Sequence, residues 1–459
     1  MEAQPTNDQT PACPGCAARD RKIASLEARI STLETVARAG KRQAAPFSKG
    51  PPKADPKKPG RKSGPEHGTH HRREAPETID EVHEAALPDR CPGCGGAVRE
   101  TSVEQQYQTE IPRKVIHRQF NVHVGYCACC DQRVQGRHPL QTSDALGAAA
   151  NQIGPDAQAL GVLLNKEAGL SHGKIKRFFH AAFDLTLGRA TPCRVMLRAA
   201  ERCGDAHQAI VRRVQSSPTI VPDETGWRIG GHSAWLHVAV GVDATAYLVD
   251  FRRGFVAAVK LIGADYAGDM THDGWKPYLR FENATHQTCV GHLLRRCHTL
   301  LEGARGGARI FPLRVKSLLQ EGLAIRDQRD AGQLSIAQAA VEGLRLNGTM
   351  QDLLCRPRPI ETHRVFGEHL WTNRDHLFVF LDKPGIDATN YRAEQAIRPS
   401  TVTRKVCGGN RTESGAKAQG VLLSVLQTAA RKGIEALDFI SGTLRSLPGL
   451  RPKLFPETG

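Results

Sequence analysis

No stretch of this chain approaches the ~18 unbroken apolar residues that a membrane span requires, so none is expected to lie in a bilayer. Residues 1–16 have neither a basic lead nor an apolar core, so no secretory leader is expected and the protein reads as cytoplasmic. A repeat at a solenoid period is also missing, which sets stacked-repeat architectures aside. Acidic side chains are in short supply: 47 Asp and Glu face 63 Lys and Arg, for a formal charge of +16. Such an excess points to a polyanionic partner, most simply nucleic acid. What is present in quantity is apolar, 40% of 459 residues. That excludes wholesale disorder and leaves room for about three domains.

Cysteine is the other abundant signal, with 13 in the chain and several in C-x-x-C pairs. Without a leader, such pairs suggest thiolates for metal rather than disulfides. Cys91-Pro-Gly-Cys94 and Cys127-Ala-Cys129-Cys130 would present four thiolates (Cys91, Cys94, Cys127, Cys130) to one structural Zn²⁺, as zinc ribbons do. Phe120, Val122, Val124 and Tyr126 alternate as a strand leading into the second pair. Cys129 is surplus and could displace Cys127 or Cys130. The pair Cys13/Cys16 has no second pair near it.

Residues 17–37 read as one helix. Ile23, Leu26, Ile30 and Leu33 share a seam with Ile at a and Leu at d, the choice that favours a parallel two-stranded coil. A short amphipathic helix on the protein's own surface fits the same residues. Residues 41–73 are then rich in Lys, Arg, Pro and Gly, with Asp55 and Glu66 as the sole acids. This segment should be a flexible basic tether, whose Lys57, Lys58, Arg61 and Lys62 add a salt-sensitive, sequence-blind attraction to phosphates. A solubilising linker is the alternative. Over 155–184 two helices are expected, broken at Gly169-Leu170-Ser171, the second with a basic face of Lys174, Lys176 and Arg177. They read equally as a helix-turn-helix for a major groove or a plain helical hairpin.

From 218 the hydrophobic period changes from 3.6 to 2. Strands are expected at 219–223, 234–242, 246–251 and 268–273, with a helix at 254–262. Helices follow near 313–328, 335–347, 361–372, 388–399 and 415–432, the last stopped by Gly433. Asp223 and Asp273 each end a strand, and Glu394 lies on a late helix. Such carboxylates could hold two hard cations ~3.5–4 Å apart, suited to in-line attack at a phosphodiester. Taken singly, Asp223-Glu224-Thr225 also fits a turn or cap, Asp273-Gly274 a turn, and Glu394 a partner for Arg398.

The local motifs resemble those of bacterial insertion-sequence transposases of the sixty-six family. They are Asp223-Glu224-Thr225; then Asp273-Gly274-Trp275 with Tyr278; then Cys289-x-x-His292-x-x-Arg295. Asn390, Glu394, Arg398, Pro399, Arg404-Lys405 and a compressed Ser414-Gly415 follow. Trp275 stands where Tyr is commoner. The resemblance runs from the zipper to near the C-terminus. It implies an α/β chain with an RNase H-like core over 216–435 and a helical insertion at about 300–380. Before the core it implies a coiled-coil helix (1–40), the tether (41–80), a zinc ribbon (85–140) and a helical DNA-binding segment (141–215); a tail (436–459) follows it.

Asp223, Asp273 and Glu394 would be a catalytic triad on two Mg²⁺ or Mn²⁺. Asp265 and Asp269 lie close by, but the spacing to Tyr278, Cys289 and His292 counts from Asp273. Cys289 and His292 are expected to support the site, and Arg295, Arg398, Arg404 and Lys405 to grip DNA. The implied activity is binding of terminal inverted repeats, 3′-end cleavage and strand transfer. Double-stranded DNA, a second copy of the chain and small accessory proteins would be its partners. The alternatives are a zinc-ribbon regulator with an inactive core and a structure-specific nuclease.

Overall fold

A computed structural model describes Ile23, Ser25, Leu26, Arg29 and Ile30, and residues 75–109, 111, 115–141, 153–446 and 449–455. Leu33, the tether cations Lys57, Lys58, Arg61 and Lys62, and the pair Cys13/Cys16 lie outside these residues. The chain divides into two units, Met1–Pro112 and Arg113–Gly459. Among the described residues no helix is long and apolar enough to cross a membrane.

In the first unit, Ile23, Leu26 and Ile30 are helical and exposed. Cys91 opens a tight knuckle: its N–H donates to Gly96 O (2.9 Å) and its carbonyl accepts from Gly95 N (2.8 Å). The second unit repeats that pattern at Cys127, whose N–H donates to Gln132 O and whose carbonyl accepts from Asp131 N, both at 2.9 Å. This knuckle joins β1 (Val124–Tyr126) to β2 (Arg133–Gln135), an antiparallel pair. Phe120 and Val122 alternate in sequence but precede the strand.

Four helices follow: α1 (Pro155–Lys166), α2 (His172–Phe183), α3 (Thr191–Arg202) and α4 (Gly204–Gln215). The break between α1 and α2 falls where Gly169 takes φ +68°. Ser171 then caps α2 by accepting from Lys174 N at 3.4 Å. The sheet comes next: β3 (Thr219–Ile229), β4 (His232–Val240), β5 (Thr245–Asp250), β6 (Asp269–His272) and β7 (Thr285–Thr288), with α5 (Phe255–Ile262) between β5 and β6. The strand order is β5-β4-β3-β6-β7, antiparallel from β3 to β5 and parallel across β3, β6 and β7.

Alternate residues of the strands face different cores. Ile220, Ala239 and Ala246 pack with Ile210, Val214, Leu261 and Ile262 of α4 and α5. Val221, Leu236, Val238 and Tyr247 pack with Ala393 and Ile397 of α11 (Tyr391–Cys407) and Leu423 of α12 (Glu413–Arg431). α12 also shields edge strand β5, whose Thr245 and Tyr247 N–H groups donate to Thr428 and Ser424 hydroxyls at 3.1 and 2.8 Å. Gly420 permits that approach, since a Cβ there would meet Tyr247 O at 2.9 Å.

Between β7 and α11 the chain forms α6 (Val290–Glu302), α7 (Ile310–Asp330), α8 (Ile336–Leu354), α9 (Glu361–Thr372) and α10 (Val379–Asp382). These helices have their own core, including Leu293, Leu319, Leu346, Phe366 and Phe380. Two expected boundaries are not boundaries of packing. Ala159, Val162, Met196 and Ala199 of the helical segment share one core with the sheet. The expected tail contributes α13 (Ala436–Arg445), whose Phe439, Ile440 and Leu444 are buried in that same core. A segment that buries such side chains among the sheet's helices cannot behave as a separate module.

Candidate active site

The register that aligns Thr219 with Asp269 and Ile220 with Met270, carried forward, sets Asp223 level with Asp273. The parallel pairing stops short of them, after Ile220 and Met270, because Pro222 has no N–H to continue it. β3 and β6 are neighbours whose chains leave toward opposite edges of the sheet. This is the switch point at which α/β sheets open a crevice beyond their strand ends. Both aspartates therefore stand at that switch point, and α11 brings Glu394 to act on Asp223 from its own first turn.

Asp223 is largely buried. Burial first, then the carboxylates of Glu224, Asp273 and Glu394, push its pKa up to about 7, against a bond from Glu224 N (2.8 Å) that lowers it. The other two acids expected from sequence thus both act on the Asp223 carboxyl. They are not closed into a chelate: among the described residues no three His, Cys, Asp or Glu are grouped to hold a metal ion. Glu394 is paired on another side, where its Oε1 takes the Arg295 guanidinium and stands 3.5 Å from His292 Nε2. Burial and the Arg295 charge hold His292 below its ordinary pKa, and Glu394 and Asp273 oppose them. Cys289 is buried, with its Sγ accepting from Asn390 N at 3.3 Å just before α11.

The neighbours of the two aspartates carry a set of anchors: the motif residues Glu224, Trp275 and Tyr278, whose roles sequence left open, and Arg253, which no motif named. The Glu224 side chain is 2% exposed. It accepts from Tyr278 Oη at 2.7 Å on one oxygen and from Arg253 at 2.9 and 3.1 Å on the other. Burial raises its pKa, while the Tyr278 and Arg253 bonds lower it. Arg253 is itself stacked on Trp235 and Trp275, 4.5 and 4.6 Å from the ring centroids. Trp275 N donates to Asp273 Oδ1 at 2.8 Å. The loop is fixed from below as well: Gly274 N donates to His272 Nδ1 (3.1 Å), and His272 Nε2 meets His286 Nδ1 (3.1 Å). That bond leaves the His272 proton on Nε2, and burial keeps its pKa well below the usual imidazole value. Gly274 takes φ +85°, and a Cβ there would meet the His369 ring at 2.8 Å. The signals in sequence were the second acid of Asp223-Glu224 and the Tyr five residues after Asp273.

The remaining expected residues are scattered. Asp269 begins β6, at the end away from Asp273, and pairs with Lys383 at 3.1 Å; Asp265 is an exposed loop residue. Arg398 and Lys405 are exposed on α11. Arg404 turns inward, donating to Gly226 O and to Thr225 Oγ1. Lys174, Lys176 and Arg177 are exposed on α2, opposite its buried Ile175 and Phe179. At the knuckles, the N–H groups of Gly93 and Cys94 lower the Cys91 pKa, and those of Cys129 and Cys130 lower that of Cys127. Donors aimed at sulfur favour the thiolate, the form that binds metal.

Residues 152–418 match a protein-family model described as Transposase IS66 family. Over 73 residues the chain is also 36% identical to an uncharacterized protein, y4qI, of Sinorhizobium fredii. That match covers 16% of this chain and 14% of the relative, so it spans a small part of both.

Proposed function

The chain belongs to the IS66 family of transposases, and from that premise we propose that it cuts DNA at the ends of a mobile element and joins them to a target. The core is read as RNase H-like, with Asp223, Asp273 and Glu394 as its catalytic acids. The observation that carries this reading is that Asp273, just past the end of β6, and Glu394, in the first turn of α11, both act on the carboxyl of Asp223 within β3.

Hard oxygen donors gathered in one place fit Mg²⁺ or Mn²⁺. The negative charge that raises Asp223 is the charge such cations neutralise. When bound by Asp223, Asp273 and Glu394, they would make the attacking hydroxyl more nucleophilic and relieve charge on the leaving 3′ oxygen. The chain's own groups do the rest. Glu224, Tyr278 and Arg253 hold the Trp275 loop, and with it Asp273, against β3. Pre-set geometry of this kind is worth more to a phosphoryl transfer than any proton the protein could supply. No serine or tyrosine nucleophile is required, because the attacking groups are water and then the freed 3′ hydroxyl.

DNA would be held by Lys174, Lys176 and Arg177 on α2, by Arg398 and Lys405 on α11, and by the basic segment around Lys57, Lys58, Arg61 and Lys62. Cys91 with Cys94, and Cys127 with Cys130, are knuckles offering thiolate pairs to Zn²⁺. Zinc analysis of the full chain should return one equivalent that falls on Cys94→Ser; a zinc-free folded protein would remove this part. The enzymatic reading is tested by cation-dependent cutting and joining of DNA that carries the element's own ends. Two copies of the chain, paired through Ile23, Leu26 and Ile30, would hold the two ends together.

A further inference from the structure

Asp223 and Asp273 are held by backbone N–H groups, but the Glu394 carboxylate is held by a guanidinium. Arg295 reaches it from α6, with its Nε 3.4 Å from the Gly291 carbonyl one turn back. The oxygen it takes, Oε1, is the same one that His292 approaches. Arg295 Nη2 bonded to Oε1 puts a positive charge beside the carboxylate and takes up part of its acceptor capacity, so a divalent cation approaching Glu394 meets a competitor there. Arg295 therefore stands where a cation would be completed.

The pair is built to exchange. The Arg295 side chain is 51% exposed and that of Glu394 34%, so water screens their attraction and the net gain is small. A phosphodiester offers the fork an alternative acceptor of matched geometry. Nothing comparable holds on the other side of the site, where Glu224 is buried and bonded on both oxygens.

We propose that Arg295 is a displaceable competitor for the cation site: it occupies Glu394 until a DNA phosphate draws it away, so that DNA and the divalent cation bind with positive coupling. The inference rests on the reading of Glu394 as a cation ligand. It makes Arg295 a positioning residue that delays completion of the site until the strand is in place. Linkage makes the effect reciprocal, so cation must tighten DNA binding by the same factor that DNA tightens cation.

The experiment is a Mn²⁺ titration of the full chain by calorimetry, with and without a duplex that ends at the cleaved element terminus, so that no cutting occurs. Without DNA, Arg295→Gln should bind Mn²⁺ about fivefold more tightly than the unsubstituted protein, the scale of an exposed pair. With the duplex bound, the two proteins should agree within about twofold, since the competitor has already left. Equal affinities without DNA would overturn the proposal. So would a gain of the same size with and without DNA, which is what loss of a plain positive charge would give. Glu394→Gln separates this inference from the reading beneath it. If that variant binds Mn²⁺ normally, Glu394 is no ligand and the assignment of the site fails. If it loses Mn²⁺ while Arg295→Gln shows no gain, the competitor alone is refuted.

Discussion

The two sides of the candidate site are held in different ways. On the strand side, Asp223 and Asp273 accept backbone N–H groups, and the anchors behind them are buried: Glu224 between Tyr278 and Arg253, and His272 against His286. On the helix side, Glu394 is held by a half-exposed arginine and approached by a histidine. Burial makes the first half costly to disturb, whereas solvent makes the second half cheap to rearrange. The site proposed for DNA would thus have one fixed wall and one that can rearrange.

Substitutions can break or sharpen this contrast. The largest effect on stability is expected at Asp223. Its folded pKa of about 7 lies above the ordinary aspartate value, so the folded state holds a proton that the unfolded state has released. Cation-free stability should then fall as pH rises from about 4 to about 7. Asp223→Asn removes the effect, and by linkage it should gain up to roughly 4 kcal/mol at pH 8 and much less at pH 5. Melting temperatures in chelator at the two pH values measure this; a gain independent of pH would place the Asp223 charge in water.

Next in size is the anchor. Glu224→Ala leaves Tyr278 Oη and Arg253 without their acceptor and should cost about 2 kcal/mol, with activity reduced by about 100-fold through misplacement of Asp273. Tyr278→Phe removes one bond to a charged group, and about 1.5 kcal/mol should be lost in denaturant unfolding. The helix side should yield least. Arg295→Gln should change stability by less than about 1 kcal/mol. Were it to cost as much as Glu224→Ala, the two halves would not differ in the way described.

The parts legible in sequence are those where side-chain pattern and structure share a period. Alternation found β4 and β5, and 3.6-residue spacing found α1, α2, α9 and α12. Asp223 was visible because it ends an apolar run, whereas Asp273 follows the mostly polar Asp269-Met270-Thr271-His272 and was marked by its spacing to Tyr278, Cys289 and His292. β7 was not, because Thr285-His286-Gln287-Thr288 reads as a polar loop. It is a buried strand because its polar side chains find partners inside. Gln287 bonds the Leu377 carbonyl and Phe380 N–H at 3.0 and 3.1 Å, and His286 meets Phe281 O at 3.0 Å. β3 runs on from 223 to Ile229 for a similar reason: its polar half is paired to β4 across a tight Gly230-Gly231 turn. Arg253 was invisible for a third reason. Its place between Trp235 and Trp275 joins three segments, and no local spacing records such a contact.

The central claim is that Asp223, Asp273 and Glu394 form one catalytic site. It is tested most directly by strand transfer on DNA bearing the element's own ends, with Mg²⁺ and any proteins encoded beside this chain. Asp223→Asn, Asp273→Asn and Glu394→Gln should each bind the ends yet lose cutting and joining by several orders of magnitude, roughly 10⁴-fold. Asp265→Asn and Asp269→Asn should remain active, because Asp265 is exposed and Asp269 is paired with Lys383 at the far end of β6. Activity surviving in all three acid variants would contradict the account and leave a DNA-binding regulator in its place.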